Sequence, residues 1–429
     1  MTTTRFIHLS DIHFNFSSPG FGVTPDGDVR NELLRDIRKQ VADSGEAQAI
    51  LVSGDIAYAG KKAEYITAAN WLDEVCDAAG CPRSGVLVCP GNHDIDQAVI
   101  RKSSLIRDAH EAIRRGDQLY EHQQALDQRL SEPDACRLLF APLAEFNEFA
   151  ARYNCAFYSG DNFFWERDFT LNDGSVLRVR GLNTALLSGL ADRPTSLMLG
   201  ARASTMLQHD GVEYLVMSHH PPSWLLDQSD ARRNFDARTR LQLFGHEHDA
   251  RCDMGLDYVR LYAGSVNPHR GEQGWSPGYN IIDLSVSGTD STRHLCVEVR
   301  VREWTNSPLT FRAQLDRSHK EVRTVHIPLQ PWNQPAPAAQ QSSVSTSLEE
   351  IACSPVTSAR PSSDVREGVH RFFRLGASQK SELVGRLGLA NDEDRDFPDF
   401  ERYKRSLVRA NQAGLWPKVM GLIHELENG

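Results

Sequence analysis

Between Phe6 and Asp94 the chain alternates three short apolar runs with two stretches of helical periodicity, and polar chemistry follows each run. Phe6-Ile-His-Leu9 leads into Ser10-Asp11-Ile12-His13, and Ala49-Ile-Leu-Val52 into Ser53-Gly54-Asp55. Val86-Leu-Val-Cys89 passes through the turn Pro90-Gly91 into Asn92, His93 and Asp94. In between, Val29, Leu33, Ile37 and Val41 recur at i+4, and a second amphipathic stretch covers about 62–79. Strand, helix, strand, helix, strand reads as a βαβαβ unit, because parallel neighbours need a long crossover and a helix is the usual one. That unit commits the chain to an α/β fold with a parallel core. It also places the residues after each strand along one sheet edge, where open sheets hold their reactive groups.

Two later runs repeat the arrangement. Tyr214-Leu-Val-Met217 ends in Ser218-His219-His220-Pro221-Pro222, and Leu241-Gln-Leu-Phe244 in Gly245-His246-Glu247-His248. Five strand ends thus offer Asp11, His13, Asp55, Asn92, His219, His246 and His248, nitrogen and oxygen donors without a thiolate. Such a set suits Mn, Fe, Zn, Co or Ni better than Ca or Mg. It exceeds the four positions of one tetrahedral zinc and suits two ions sharing a carboxylate. Each residue alone has a plainer reading: Asp11 as a cap, His13 as a surface histidine, His8 as a packed strand residue, Glu247 as structural. Asn183 carries little weight as a site residue, and the arginines within 231–240 read as a solvated helix face.

The remaining chain divides by texture. A charged helical insertion covers about 95–152, with Leu138 to Phe149 as one of its helices. Phe163–Phe169 and Val176–Arg180 flank the turn signal Asn172-Asp173-Gly174 and read as a hairpin. The later strand patterns at 258–263, 279–284 and 295–301 point to a second sheet packed on the first, ending near Pro328. Residues 330–362, dense in Pro, Ala, Gln and Ser, read as a flexible linker between a domain over 1–329 and a small all-α domain over 363–429. A net charge of -10 argues against nonspecific coating of nucleic acid. The eight cysteines form no CxxC pair and fit buried thiols in a reducing compartment. The N-terminus shows no signal region, and no apolar run approaches the roughly 20 residues that span a bilayer, so the expectation is a cytoplasmic protein away from membranes.

The ordered set Asp-x-His, Gly-Asp, Gly-Asn-His-Asp, His-His and Gly-His-x-His resembles the calcineurin-like metallophosphoesterases over about residues 5–285. The resemblance implies a β-sandwich flanked by helices, an αββα arrangement of four layers, holding two divalent transition-metal ions with manganese first among them. Carried over, Asp11, His13, Asp55 and His248 hold one ion, and Asp55, Asn92, His219 and His246 the other. His220 becomes a neighbour of the ligands or faces phosphate; spacing does not choose between it and His219. His93 contacts the phosphate or protonates the leaving oxygen, with Asp94 orienting it, while a metal-bridging hydroxide attacks phosphorus in line. The Gly-Asn-His-Asp and His-His-Pro-Pro forms look most like the branch acting on cyclic nucleotides and small diesters, which makes a phosphodiesterase the leading expectation. A nuclease on DNA or RNA and a phosphomonoesterase are the alternatives, and a metal-binding scaffold the alternative from another class. The tail loosely resembles helical adaptor domains, some death-like, fused to bacterial effector enzymes. That likeness implies a protein partner for residues 363–429 in a signalling or defence assembly.

Overall fold

The computed structural model describes residues 3–15, 25–158, 162–268, 276–333 and 363–428. The chain opens with β1 (Thr4–Leu9), α1 (Pro25–Ser44), β2 (Ala49–Val52), α2 (Lys62–Ala79) and β3 (Val86–Val88). All three strands are buried along their whole length, as runs apolar on both faces require, and they pair in parallel. α2 stops at Gly80, whose φ of 64° turns the chain back towards β3.

The insertion follows as α3 (Gln97–Lys102), α4 (Ser104–Arg114), α5 (Leu119–Ser131), α6 (Pro133–Phe140) and α7 (Ala144–Ala150). The single helix expected from Leu138 to Phe149 is broken into α6 and α7 by a turn of 3-10 helix at Ala141–Leu143. Pro142 lacks the N–H that an unbroken helix needs there. β4 (Phe164–Thr170) and β5 (Val176–Leu182) form the expected hairpin. Then come α8 (Ala201–Ser204), β6 (Val212–Met217), α9 (Gln228–Arg238), β7 (Thr239–Phe244), β8 (Arg251–Met254) and β9 (Val259–Tyr262). The two-sheet region closes with β10 (Gly278–Ser287), β11 (His294–Asn306), β12 (Leu309–Ala313) and β13 (Arg323–Pro328).

One sheet runs β4-β5-β6-β7-β9-β8, parallel from β5 to β9. The other runs β12-β11-β10-β1-β2-β3, with β13 also on β11. The strands at 279–284 and 295–301 therefore join the sheet of β1, β2 and β3 and are not part of a second sheet packed on it, contrary to the expectation from sequence. β10 lies antiparallel along the open edge of β1 and satisfies its backbone groups. An alternating pattern shows that a strand has two faces but not which edge it will join. The sheets face each other: Phe6 on β1 meets Phe169 on β4 at 4.9 Å, and the Trp165 Nε1–H donates to the Val88 carbonyl at 3.0 Å. With α1 and α2 on one side and α8 and α9 on the other, the layers are αββα.

The tail is four helices, α10 (Ser363–Arg374), α11 (Ala377–Arg386), α12 (Asp399–Gln412) and α13 (Trp416–Asn428), around Phe372, Leu383, Leu407, Val419 and Ile423. It packs on the two-sheet region. Phe400 meets Tyr158 edge-on at 5.4 Å, His370 lies 5.5 Å from the Tyr153 ring, and Arg374 pairs with Asp73. α10 also rests on the 83–85 turn that enters β3, so the tail sits toward the opposite end of the strands from Asn92. From residue 334 onward the expected linker lies outside the described residues. Five of the described cysteines are buried and all seven are free thiols; Cys353 is outside the described residues. No described helix is long and apolar enough to cross a membrane.

Candidate metal centre

Fold topology carries the five strand ends to one place. Asp11 and His13 follow β1, Asp55 follows β2, Asn92 follows β3, His219 follows β6, and His246 and His248 follow β7. The Asp55 Oδ2 lies 3.3 Å from the His13 Nε2 and 3.2 Å from the His219 Nε2. Asn92 Oδ1 lies 3.2 Å from the His219 Nε2 and 3.0 Å from the His246 Nδ1. Asp11 Oδ1 lies 3.1 Å from the His248 Nε2. Ligand-capable atoms of Asp11, Asp55 and His219 fall within 4.8 Å of one another, as do those of Asp11, His13 and His248, and those of His219, His220 and His246. All seven candidates are brought together, in two groups that meet at Asp55.

The local backbone is bent to this end. Among the described residues nine non-glycine positions adopt a left-handed φ, and five of them are Asp11, His13, Asp55, His246 and His248. Each costs about 1 kcal/mol or more. Packing alone would not gather that strain where the ends of the two sheets meet. Two of the preceding glycines are required by close approach: a Cβ on Gly54 would stand 2.6 Å from the His219 ring, and one on Gly91 would overlap the Asp55 carboxylate.

Electrostatics show what the cluster suits. The His219 Nδ1 sits 2.9 Å from the Ser53 carbonyl, which requires the proton on Nδ1 and leaves the Nε2 lone pair facing Asp55 and Asn92. Acceptors that face one another at such distances need a cation between them. Burial pulls the His219 imidazole down, but the charges of Asp55 and Asp11 overcome it and hold the ring at about 9. A proton or a metal ion answers the same demand, and imidazole with carboxylate and amide oxygen is a borderline transition-metal donor set. The residues therefore fit a pair of such ions. His220 is fully buried; its Nδ1 is 3.0 Å from the Thr184 Oγ1 and its Nε2 has no hydrogen-bond partner.

His93 keeps its backbone N–H on Asp55 Oδ1 at 2.8 Å, and its Nδ1 lies 2.8 Å from the Tyr58 carbonyl. Asp94 does not orient it, contrary to expectation. The Asp94 carboxylate accepts from the N–H groups of Gly91, Ile56 and Ala57 and from the Tyr65 hydroxyl, at 2.9, 3.2, 2.9 and 2.9 Å. It turns away from its neighbour to tie the Asp55 loop to the Asn92 turn. Burial, then the Asp55 charge, raises it to about 6 against these donors.

His8 is packed inside, within 2.9 Å of the Ser53 hydroxyl, and Glu247 pairs with Arg251. Asn183 caps the Ala185 N–H. Arg232 and Arg233 lie exposed beside Asp236 and Asp230 on α9. The sequence reading missed Thr184, which holds His220. Its signal was the strand-end position after β5, spent there on Asn183. Nothing in the sequence announced the carbonyls of Ser53 and Tyr58.

Layers and cluster together define an αββα fold with a site suited to metal ions at the ends of its strands. The family model for calcineurin-like phosphoesterases matches residues 4–250, and the chain belongs to that family. A model of the GTPase-associated adaptor domain matches residues 364–426. The chain is similar to the uncharacterised metallophosphoesterase-like protein YydB of Bacillus subtilis, 24% identical over 278 residues, which are 61% of this chain and 53% of that protein. It thus spans about half the length of the curated relative it matches. Among solved structures it is similar to GAP50, the anchor in the inner membrane complex of Plasmodium, at 12% identity, a TM-score of 0.41 and 77% and 90% coverage of the two chains. The purple acid phosphatase PPD1 of yellow lupin follows at 10% identity, a TM-score of 0.40 and coverage of 80% and 57%.

Proposed function

We propose that the chain hydrolyses phosphate esters, diesters ahead of monoesters, at a two-metal centre. Asp11, His13, Asp55 and His248 would hold one ion, and Asp55, Asn92, His219 and His246 the other, with manganese the first candidate. The observation that carries this reading is Asp55 Oδ2, nearly equidistant from the inward nitrogens of His13 and His219. The cations, when bound, supply an acidified water and neutralise charge on the phosphoryl oxygens.

The protein's own groups do the rest. The Ser53 carbonyl fixes the His219 tautomer, so its donor atom is set before any ligand arrives. Asp94 locks the two loops that carry Asp55 and Asn92, which keeps the donors from relaxing apart. His93 stands beside His13 and Asp55 with its Nδ1 engaged by Tyr58, leaving Nε2 for a phosphoryl or leaving-group oxygen. The Gly-Asn-His-Asp and His-His-Pro-Pro forms support the preference for diesters. The helices at 364–426 are proposed to recruit a protein partner, and the name of the matching adaptor model points to a GTPase.

The test is a screen of manganese-loaded protein against mono- and diesters, with Asp55→Asn as control and metal content measured alongside. Asp55→Asn should lower bound metal and turnover by more than the roughly 10- to 100-fold that loss of a ligand's supporting partner costs, because the shared charged ligand itself is removed. Wild-type turnover in that variant removes the two-metal reading. Cleavage of oligonucleotides in preference to small diesters would turn it towards a nuclease.

A further inference from the structure

We propose that Tyr58 is a stacking platform for the base of a nucleotide, and so selects which phosphoesters the centre accepts; this deepens the phosphoesterase reading and rests on it. Tyr58 lies three residues past Asp55. Its ring centroid is 5.3 Å from that of His93, at an interplanar angle of 34°, and 6.3 Å from that of His13. The residue is nevertheless 47% exposed.

Folding does not account for that ring. The loop beneath it is held by its backbone. The Ile56 and Ala57 N–H groups donate to Asp94, and the Tyr58 N–H donates to the Phe14 carbonyl at 3.0 Å. The Tyr58 carbonyl lies 2.8 Å from the His93 Nδ1, and the Ala59 N–H donates to Glu64 at 3.0 Å. All of these bonds would form with an alanine at position 58. A large aromatic group left open on a tied-down loop loses little freedom when a flat ligand settles on it, so most of the stacking energy appears as affinity.

The geometry also gives the platform a side. At the far end of the histidine row Trp224 packs against His246 at 4.1 Å and 83°, and it is half-buried, so it serves as a wall. Tyr58 stands at the His13 and His93 end. A nucleotide whose phosphate reaches the donors would lay its base on that side. Every base has a π-face, so the platform favours nucleotides over alkyl phosphates without reading base identity.

Equilibrium binding of AMP and of inorganic phosphate to the manganese-loaded full chain tests this, by calorimetry, for wild type, Tyr58→Phe and Tyr58→Ala. Wild type and Tyr58→Phe should bind AMP more tightly than phosphate by about tenfold, in line with base–aromatic stacking. In Tyr58→Ala the ratio of the two affinities should fall to within about twofold of unity. An unchanged ratio in Tyr58→Ala overturns the proposal, as does a wild-type protein that binds AMP no better than phosphate, or binds neither. A tenfold ratio that depends on Tyr58, in a protein that cleaves no ester, would keep the platform and sink the hydrolase. Ester cleavage with a ratio near unity would do the reverse.

Discussion

Replacing Asp94 by asparagine changes one atom and should separate scaffold from chemistry. The carboxylate collects four buried donors, two on each oxygen: Gly91 and Ile56 N–H on Oδ2, Ala57 N–H and the Tyr65 hydroxyl on Oδ1. An amide brings a donor of its own to one side. Its better orientation puts the NH2 group at Oδ1, where the Tyr65 hydroxyl can rotate and accept but the Ala57 N–H cannot. One orphaned buried N–H costs about 1–3 kcal/mol. The bonds from Gly91 and Ile56 lose their ionic acceptor, a further loss of about 1 kcal/mol each. Removing a charge that burial and Asp55 disfavour offsets part of this, so Asp94→Asn should destabilise the two-sheet region by about 1–3 kcal/mol. At an m-value of about 3 kcal/mol/M the urea midpoint, followed by circular dichroism, drops by roughly 0.3–1 M. His93→Ala, at a half-buried side chain, should shift that midpoint by less than about 0.3 M while lowering turnover. If Asp94→Asn keeps the wild-type midpoint and loses only turnover, Asp94 acts through His93 and the scaffold argument fails.

Two more outcomes follow from single residues. Burial lowers the His370 imidazole to about 4, and neither ring nitrogen has a hydrogen-bond partner. Its folded value lies below the unfolded one, so its contribution is complete above about pH 6.5 and is lost as pH falls towards 4, up to about 3 kcal/mol. His370→Leu should flatten that part of the stability profile, measured by urea midpoints between pH 4 and 7, and an unaltered slope would refute the assignment. Thr184→Val removes the hydroxyl that accepts the His220 N–H and holds its Nδ1, at 3.1 and 3.0 Å. Turnover should fall about 10- to 100-fold with metal content retained, and a wild-type rate would show that His220 needs no anchor.

How much could be read in advance depended on how local the cause was. The βαβαβ opening, the 172–174 hairpin and the helical insertion rest on periodicity and turn chemistry within a few residues of one another, and they appear where expected. The break at Pro142 was equally local and was passed over because the apolar spacing ran through it. β10 to β13 were assigned to the wrong sheet, since strand pairing over some 270 residues, as between β1 and β10, leaves no mark on either strand's pattern. Asp94 shows the same limit within a site. Adjacent to His93 in the chain, it was given that imidazole as its partner, yet the backbone of the turn points the two side chains apart.

The donors themselves were written in the chain. Residue type and the ends of apolar runs are one-dimensional properties, and parallel pairing converts them into one row of donors after β1, β2 and β3 and another after β6 and β7; only the packing of the two sheets joins the rows. Tertiary structure alone decided which atoms face which: that one oxygen of Asp55 stands between two imidazoles, that the Ser53 carbonyl sets a tautomer, and that Tyr58 is left open beside them. Those facts depend on directions and on distances of a few ångströms, which arise when five separate segments pack together and which no single segment contains.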